Sequence, residues 1–327
     1  MVRIGLAGVG HLGQHHRRLL RDIPDIALAG CYDIDPEVRE RERDLGVEVF
    51  DSFEELIDAV DAVDIVVPTD AHYPLAKQAL EADKHLFIEK PVTETVDQAR
   101  ALVDLAGERN LVFQVGHIER FNPAITSLRD ISLEPRFIES HRLSQFQPRG
   151  TEVAVILDLM IHDIDIILSL VKSPVAQVDA SGVPVITNSI DIANARVRFE
   201  NGCVANVTAS RISRKAMRKI RLFQPAAYIS IDFLQNATEI YRLKDKDDNS
   251  AEALPFLLGE MEFEGATKQI VYEQPQIDET NPLKDELSDF AAAIAANRSP
   301  IVSGEDGLRA LEVAHLIQSK IQESPVT

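Results

Sequence analysis

The chain has 327 residues, about twice the usual size of a domain, so one or two domains with a sizeable core are expected. Its 53 acidic and 34 basic residues give a formal net charge of -19. A surface of that charge repels nucleic-acid phosphates and anionic lipids, so we expect neither nucleic acid nor a membrane as a partner.

The cysteines and the N-terminus indicate the compartment. Cys31 and Cys203 lie far apart in apolar stretches, which is typical of reduced core residues in a cytosolic protein. The chain begins with a strand pattern and lacks the basic and apolar regions of a signal peptide. No apolar run approaches the roughly 18 residues of a membrane span. The sequence therefore predicts a soluble, cytoplasmic protein.

Up to about Gly116, short apolar runs alternate with helical stretches. The runs that predict strands are VRIGLAGV, IALAGCYD, VEVF, VDIVVPT, HLFIEK and LVFQVGH. Strands that alternate with helices of this length predict a parallel sheet with helices on both faces.

After about Glu119 the rhythm changes. A strand pattern, FIESHRLS, leads into a strongly apolar helix, ILDLMIHDIDIILSLV, and several β-rich segments and two helices follow. The β-rich segments predict a mostly antiparallel sheet, and the charged residues 244–252 predict a solvated loop. The expected fold class is α/β, with one domain over residues 1–119 and a second over residues 120–327.

The first predicted strand runs into GVGHLG, a G-x-G-x-x-G pattern that opens a helix. This fingerprint places a dinucleotide pyrophosphate on the helix N-terminus, while Asp33, after the second strand, would accept hydrogen bonds from the ribose and repel a 2'-phosphate. NAD is therefore favoured over NADP. The alternative is a packing glycine at position 10 and a helix N-cap at position 33. The predicted cofactor contacts are Gly8, Gly10, His11, Leu12, Gly13 and Asp33.

Two further segments would end at the same edge of the predicted sheet. Pro68 and Thr69 close the fourth predicted strand, and His72 follows either beside the cofactor or as an ordinary first-turn helix residue. Glu89 and Lys90 follow the fifth, so Lys90 would face the nicotinamide end of the cofactor. The further predicted cofactor contacts are therefore Pro68, Thr69, His72, Glu89 and Lys90. The next residue is a proline, and the sequence leaves open whether the bond before it is cis or trans.

The apolar helix carries an Asp–His pair. Asp158 and His162 are four residues apart, so on an α-helix they share a face, where a carboxylate that orients an imidazole suits a general base. The alternative is a histidine satisfied within the core. Lys90 favours the catalytic interpretation, because alcohol oxidation needs a base near the hydroxyl and a cation near the developing carbonyl. Asp163 or Asp165 is expected to cap the helix or pair with an arginine.

With GVGHLG, the Glu-Lys-Pro motif at Lys90 and the pair of Asp158 and His162 in this order, nearly the whole chain resembles the Gfo/Idh/MocA family of glucose-fructose oxidoreductase and inositol dehydrogenase. The resemblance implies an N-terminal Rossmann domain and a C-terminal α/β domain with a large open sheet, whose face would build a homodimer or homotetramer. It also implies that His162 is the general base, that Lys90 hydrogen-bonds the reacting oxygen and helps relay the proton, and that Asp158 positions His162 or the sugar.

Within the family, GHIERFNP and LDLMIHDID resemble the branch that oxidises nucleotide sugars in lipopolysaccharide and lipid A precursor pathways, especially UDP-N-acetylglucosamine at its 3-position. Polyols such as myo-inositol and free sugars remain alternatives, because a fold does not determine a substrate. Arg120, Arg142 and Arg149 would bind the substrate diphosphate, or each would form an ordinary salt bridge.

Two other classes of function fit the sequence less well. A metal-dependent hydrolase needs further converging ligands, and the histidines show no spaced ligand motif beyond His15-His16, so no metal site is predicted. A non-catalytic NAD-binding sensor would need no general base. The sequence thus predicts an NAD-dependent dehydrogenase that transfers a hydride from a secondary hydroxyl of a sugar to the nicotinamide.

Overall fold

The computed structural model describes residues 1–147, 153–245, 256–263 and 265–323. The chain forms two compact units. The first comprises Met1–Phe121 and Asn281–Glu312, and the second comprises Asn122–Thr280 and Val313–Thr327. The sequence placed the domain boundary between residues 119 and 120 and assigned residues 281–312 to the second domain. In the structure these residues pack with the first unit.

The first unit is built on a parallel sheet with the strand order β2-β1-β3-β4-β5 within the described residues. Its elements up to the end of the sheet are β1 (Val2–Ala7), α1 (His11–Asp22), β2 (Ile26–Tyr32), α2 (Pro36–Asp44), α3 (Phe53–Asp58), β3 (Ala62–Ile65), α4 (His72–Glu81), β4 (His85–Glu89), α5 (Val96–Glu108) and β5 (Phe113–Gly116).

One predicted strand of this unit is wrong. Residues 47–50, the VEVF run, contribute only an isolated bridge between Cys31 and Val49. As a result, Lys90 follows the fourth strand of the sheet rather than the fifth. The run lies beyond β2, the edge strand, and a short apolar run does not by itself reveal whether it continues a sheet.

Several helices of the first unit begin at a polar residue whose side chain caps the helix. The Thr95 side chain accepts a hydrogen bond from the Gln98 amide, and the Gln98 side chain accepts one from the Thr95 amide, which forms a capping box for α5. At the start of α3 the Ser52 side chain accepts a hydrogen bond from the Glu55 amide, and at the start of α2 the Asp35 side chain accepts one from the Glu37 amide. These caps satisfy backbone N–H groups that have no partner within their own helix.

The second unit is built on a large sheet with the strand order β13-β14-β12-β11-β10-β6-β9-β8-β7 within the described residues. Neighbouring strands are antiparallel except for β6 and β9, which are parallel. The elements from residue 123 to the C-terminus are α6 (Pro123–Thr126), β6 (Phe137–Leu143), α7 (Ile161–Val171), β7 (Val175–Val183), β8 (Ile192–Phe199), β9 (Val204–Ser210), β10 (Met217–Gln224), β11 (Ala227–Asp232), β12 (Ala237–Asp245), β13 (Phe256–Phe263), β14 (Ala266–Glu273), α8 (Pro282–Ala296) and α9 (Gly304–Glu323).

Burial alternates along β6 and β8, so one face of the large sheet packs inward and the other faces outward. The α/β fold class, with a parallel sheet followed by a mostly antiparallel one, is confirmed. The charged stretch expected to be a solvated loop begins at the end of β12, and its residues 246–252 lie outside the described residues.

The core of the first unit includes helix α8, which comes late in the chain. Phe290 of α8 is fully buried, and its ring meets the ring of Phe87 at 5.8 Å. Cys31 is buried in the same core, and Cys203 is buried in the second unit; both are free thiols. None of the helices in the described ranges combines the length and the apolar character needed to cross a bilayer.

Candidate active site

The strands of the first unit run parallel, so their carboxyl ends lie along one edge of the sheet. Ligand-binding loops of open α/β sheets gather at this edge. In sheet order, the segments that follow the strand ends carry Asp33, Gly8, Pro68, Lys90 and His117.

The glycines of GVGHLG have separate structural reasons. Gly8 adopts a φ of 91°, and a Cβ there would lie 2.4 Å from the carbonyl oxygen of Val66. A Cβ on Gly13 would lie 2.1 Å from the carbonyl oxygen of Gly8, so only glycine lets α1 pack this closely on the loop. A Cβ on Gly10 would meet nothing within 4 Å. Gly10 therefore leaves open space at the N-terminus of α1.

Asp33 lies beside this loop. Its Oδ2 accepts a hydrogen bond from the Val9 amide at 2.8 Å, and its Oδ1 accepts one from the Asp35 amide at 3.0 Å. A carboxylate has about four acceptor sites, so Asp33 retains capacity for ribose hydroxyls. Backbone N–H groups at the start of α1, space beside Gly10 and this carboxylate together fit the diphosphate and ribose of NAD.

The other predicted cofactor contacts differ in their exposure to solvent. His11 and Leu12 are exposed on the first turn of α1, and Pro68 is exposed before a 3-10 turn over Thr69–Ala71. His72, in contrast, is 1% exposed and is the first residue of α4. This burial favours the alternative interpretation of His72, an ordinary first-turn helix residue.

His72 connects the segments after β3 and β4. Its Nδ1 lies 2.9 Å from the carbonyl oxygen of Pro91, and its Nε2 lies 3.0 Å from that of Val67. Burial lowers the pKa of His72, and the surrounding carbonyl groups oppose that shift. The Lys90–Pro91 peptide bond beside it is cis. His72 thus supports the backbone that carries Lys90.

Sequence reasoning missed His117, which directly follows β5 and is 1% exposed. Burial, followed by the nearby charges of Arg120 and Lys90, lowers the pKa of His117 to about 3. His117 is therefore a neutral imidazole at the edge of the sheet. The rule that singled out Lys90, a polar residue after a buried parallel strand, would also have found His117.

Asp158 and His162 belong to the second unit, where the predicted helix changes its winding. Residues Ile156–Met160 form a π-helical turn, in which the Ile161 amide donates to the carbonyl of Ile156, and α7 begins at Ile161. The winding at Asp158 is therefore π-helical rather than α-helical as predicted, and the turn leads directly to His162; that the two side chains share a face stays a prediction. Single π-turns within helices occur frequently at functional sites.

The environment of the pair is polar on one side. The Asp158 side chain is 41% exposed, and its Oδ2 lies 3.8 Å from Nη2 of Arg211, which is largely buried. His162 is half-buried. Because Asp158 remains accessible, it is placed to meet a solute as well as a neighbouring side chain.

The three arginines predicted to bind the substrate diphosphate have different environments in the structure. The buried Arg142 guanidinium donates to both Asp163 oxygens, at 2.8 and 3.2 Å, which favours the ordinary salt bridge over a substrate contact and confirms that Asp163 pairs with an arginine. Arg120 is half-buried, and its Nη2 donates to the carbonyl of Ile301 at 3.2 Å. Arg149 lies outside the described residues.

Known proteins share this architecture. The sequence pattern of an oxidoreductase family with an NAD-binding Rossmann fold, GFO/IDH/MocA, matches residues 2–117, and the pattern of its C-terminal domain matches residues 132–229. UDP-N-acetylglucosamine 3-dehydrogenase of Acidithiobacillus ferrooxidans is 37% identical over 98% of this chain and 97% of that protein. A solved structure of that enzyme gives a TM-score of 0.87 at 36% identity and covers 98% of both chains. The scyllo-inositol 2-dehydrogenase (NAD(+)) of Bacillus subtilis is 29% identical over 65% of this chain and 68% of that protein.

Two glycine substitutions separate folding from cofactor binding. We expect Gly13→Ala to lower the free energy of unfolding by about 1–3 kcal/mol or more, because its Cβ overlaps the Gly8 carbonyl. Gly10→Ala should unfold like the wild type but bind NADH more weakly, because its methyl group occupies the space that a pyrophosphate approaches. Urea unfolding and NADH titration measure the two effects. Wild-type NADH affinity in Gly10→Ala would contradict the assignment of the loop.

The low pKa of His117 predicts how stability depends on pH. The unfolded chain binds a proton at this residue near pH 6.5, but the folded chain does so only near pH 3. Stability is therefore lost as the pH falls from 6.5 towards 3. His117→Gln should show a smaller loss over this window than the wild type in urea unfolding, whereas His15→Gln, on the exposed side of α1, should show the wild-type loss. Parallel curves for His117→Gln and the wild type would refute the prediction.

Proposed function

The chain belongs to the Gfo/Idh/MocA family of NAD-binding oxidoreductases, and we propose that it oxidises the 3-hydroxyl of UDP-N-acetylglucosamine. The substrate assignment rests on the nearly full-length similarity to the Acidithiobacillus ferrooxidans enzyme. The identity to that enzyme is 37%, whereas inositol dehydrogenases that match over nearly the whole chain are 24 to 25% identical. Inositol and other polyols are therefore the second candidate substrates.

The proposed reaction removes a hydride from the sugar carbon and a proton from its hydroxyl, which leaves a ketone. NAD, held by the glycine loop and Asp33, would supply the hydride acceptor. His162 would take the hydroxyl proton, and Lys90 would hydrogen-bond to the same oxygen, stabilise its developing negative charge and help relay the proton. Asp158 would orient the His162 ring or bind a sugar hydroxyl.

Several structural features support these roles. Lys90 lies at the carboxyl edge of the parallel sheet, where the glycine loop and Asp33 also lie. His162 lies on the first turn of α7, directly after the π-turn that carries Asp158. A half-buried imidazole four residues after an accessible carboxylate is suited to exchange a proton with a bound alcohol.

The diphosphate of the substrate needs cations. Arg120 follows β5 at the ligand-binding edge, so we assign it to the substrate side. Arg142 is not assigned there, because both of its donor groups near Asp163 already hold a buried carboxylate. Arg149 stays a prediction of the sequence.

We also propose that the protein forms a homodimer or homotetramer in the cytoplasm through the outer face of the large sheet. Across five neighbouring strands this face carries a row of aromatic rings, with centroids 5.1 to 5.9 Å apart. Aromatic side chains are enriched at protein interfaces, and Phe223 in this row is 37% exposed. The rings are those of Phe137, Phe223, Tyr228, Tyr241 and Tyr272.

Turnover with a panel of sugars tests the substrate and the roles together. We expect NADH to form with UDP-N-acetylglucosamine and not with UDP-glucose, myo-inositol or glucose. Lys90→Met and His162→Gln should each lower kcat by about 100-fold or more, because each removes a group that moves or stabilises charge in the transition state.

The control for this assay is Lys77→Met, which removes an exposed lysine paired with Glu81 on α4 and should keep wild-type kcat. Activity on myo-inositol alone would retain the reaction and change the substrate. Tight NADH binding without turnover in either direction would favour a sensor. Wild-type kcat in the Lys90 or His162 variant would refute that residue's role.

The oligomer proposal is tested by charge on the aromatic row. Tyr228→Arg combined with Tyr241→Arg should convert the assembly to monomers in light scattering, because two buried cations would oppose each other across the interface. Leu316→Arg, at an exposed apolar residue on α9, should leave the mass unchanged. A monomeric wild type would refute the proposal.

A further inference from the structure

A buried ionic cluster lies in the first unit and joins α1 to β3 and β4. His16 of α1 lies three residues after Gly13 and between two carboxylates. Its Nδ1 is 2.9 Å from Oδ2 of Asp64, and its Nε2 is 3.2 Å from Oε1 of Glu89. The side chains of His16 and Asp64 are fully buried, and that of Glu89 is 12% exposed.

The cluster holds charge away from water. Burial alone disfavours a charged imidazole, but Asp64 and Glu89 raise the pKa of His16 to about 10. Burial likewise disfavours an ionised Glu89, but His16 and Lys90 hold the pKa of this carboxyl below its usual range. Buried ions are costly unless they are paired, so the imidazolium and the carboxylates depend on each other.

Glu89 connects the cluster to Lys90. Its second oxygen, Oε2, accepts a hydrogen bond from the Lys90 amide at 3.2 Å. Gly116, the register partner of Glu89 in the pair of β4 and β5, provides the space for the carboxylate, because a Cβ there would lie 2.9 Å from Oε1. The carboxylate is therefore bounded by the His16 ring, the Lys90 backbone and strand β5.

We propose that His16 is a positioning residue for Lys90. By holding the Glu89 carboxylate in place, the His16 ring fixes the Lys90 backbone at the edge of the sheet and keeps a negative charge next to the lysine. The inference rests on the catalytic role proposed for Lys90. A displaced catalytic group loses rate far more readily than the protein loses its fold, because reacting atoms must be aligned closely.

The charged and titratable groups around the cluster come from several elements. Asp64 belongs to β3, and Glu89 ends β4 next to Lys90. The charge of Glu89 also acts on His117 after β5 and on His72 of α4, and burial lowers the pKa of both imidazoles. His16 contacts the Glu89 carboxylate directly, from α1.

A double-mutant cycle tests the proposal by rate. The variants are His16→Gln, Glu89→Gln and the double variant, and His15→Gln on the exposed side of the same helix is the control. We expect kcat to fall about tenfold or more in both single variants and no further in the double variant, with NADH affinity nearly unchanged. A purely structural role predicts a lower unfolding midpoint with wild-type kcat, and that result would overturn the proposal.

A second readout does not need turnover. The pH at which an amine reagent labels Lys90 is measured by peptide mass spectrometry, with Lys77 as the internal reference. Removal of the carboxylate in Glu89→Gln should move the labelling midpoint of Lys90 to lower pH by about half a pH unit or more. Loss of the imidazolium alone would raise this midpoint, so a lower midpoint in His16→Gln reports that the Glu89 carboxylate has moved away from the lysine. An unchanged or raised midpoint in His16→Gln would overturn the proposal.

The two readouts also separate this inference from the proposed function. If none of the sugars is oxidised by the wild type, the function fails, while the labelling of Lys90 still decides whether His16 acts on it. If His16→Gln does not fold, Gly116→Ala takes its place. The three atoms nearest its Cβ all belong to the Glu89 carboxylate, at 2.9 to 3.0 Å, so the carboxylate must move and the labelling of Lys90 should shift. An unshifted midpoint would then overturn the proposal.

Discussion

The parallel pairing of β1 to β5 is the constraint on which the rest of the first unit depends. In a parallel sheet every strand ends at the same edge, so each segment that leaves a strand there is brought beside the others. This pairing places Asp33, the glycine loop, Lys90 and His117 on one edge, although the chain visits them far apart in sequence. The close contact of Gly13 with Gly8 then sets the start of α1 against that edge.

Both units contain buried ionic side chains. His16, Asp64 and Glu89 form one buried cluster in the first unit, and Arg142 with Asp163 forms a buried pair in the second. A protein in which apolar residues replace such a buried ion pair is often as stable as the original. A buried ion pair is therefore weak evidence for a contribution to stability. Each group does connect two elements, α1 to β4 or β6 to α7, in one defined geometry. A site carried on elements fixed in this way is held more closely than a site on loops.

Much of the fold was predictable because its signals are local. Apolar runs separated by helical stretches indicated the parallel sheet, and the capping box at Thr95 marks the start of α5 in the sequence itself. Two features were not predictable. The VEVF run has the pattern of a strand but makes only a bridge, and the π-turn before α7 has the same apolar pattern as an α-helix. In both places the winding or pairing depends on neighbours that the local pattern does not contain.

By itself, the sequence determined which residues follow the strands, since period and chain order are local properties: the glycine loop, Asp33 and Lys90 were all identified on that basis. The tertiary structure decided which polar side chains are already engaged. His72 faces backbone carbonyls, Arg142 holds Asp163, and Glu89 contacts His16, a residue of the first helix. The physical reason is that a buried polar group needs a hydrogen-bond partner, and that partner determines what the group can do. These partners come from distant parts of the chain, and only the folded backbone brings them within hydrogen-bond distance.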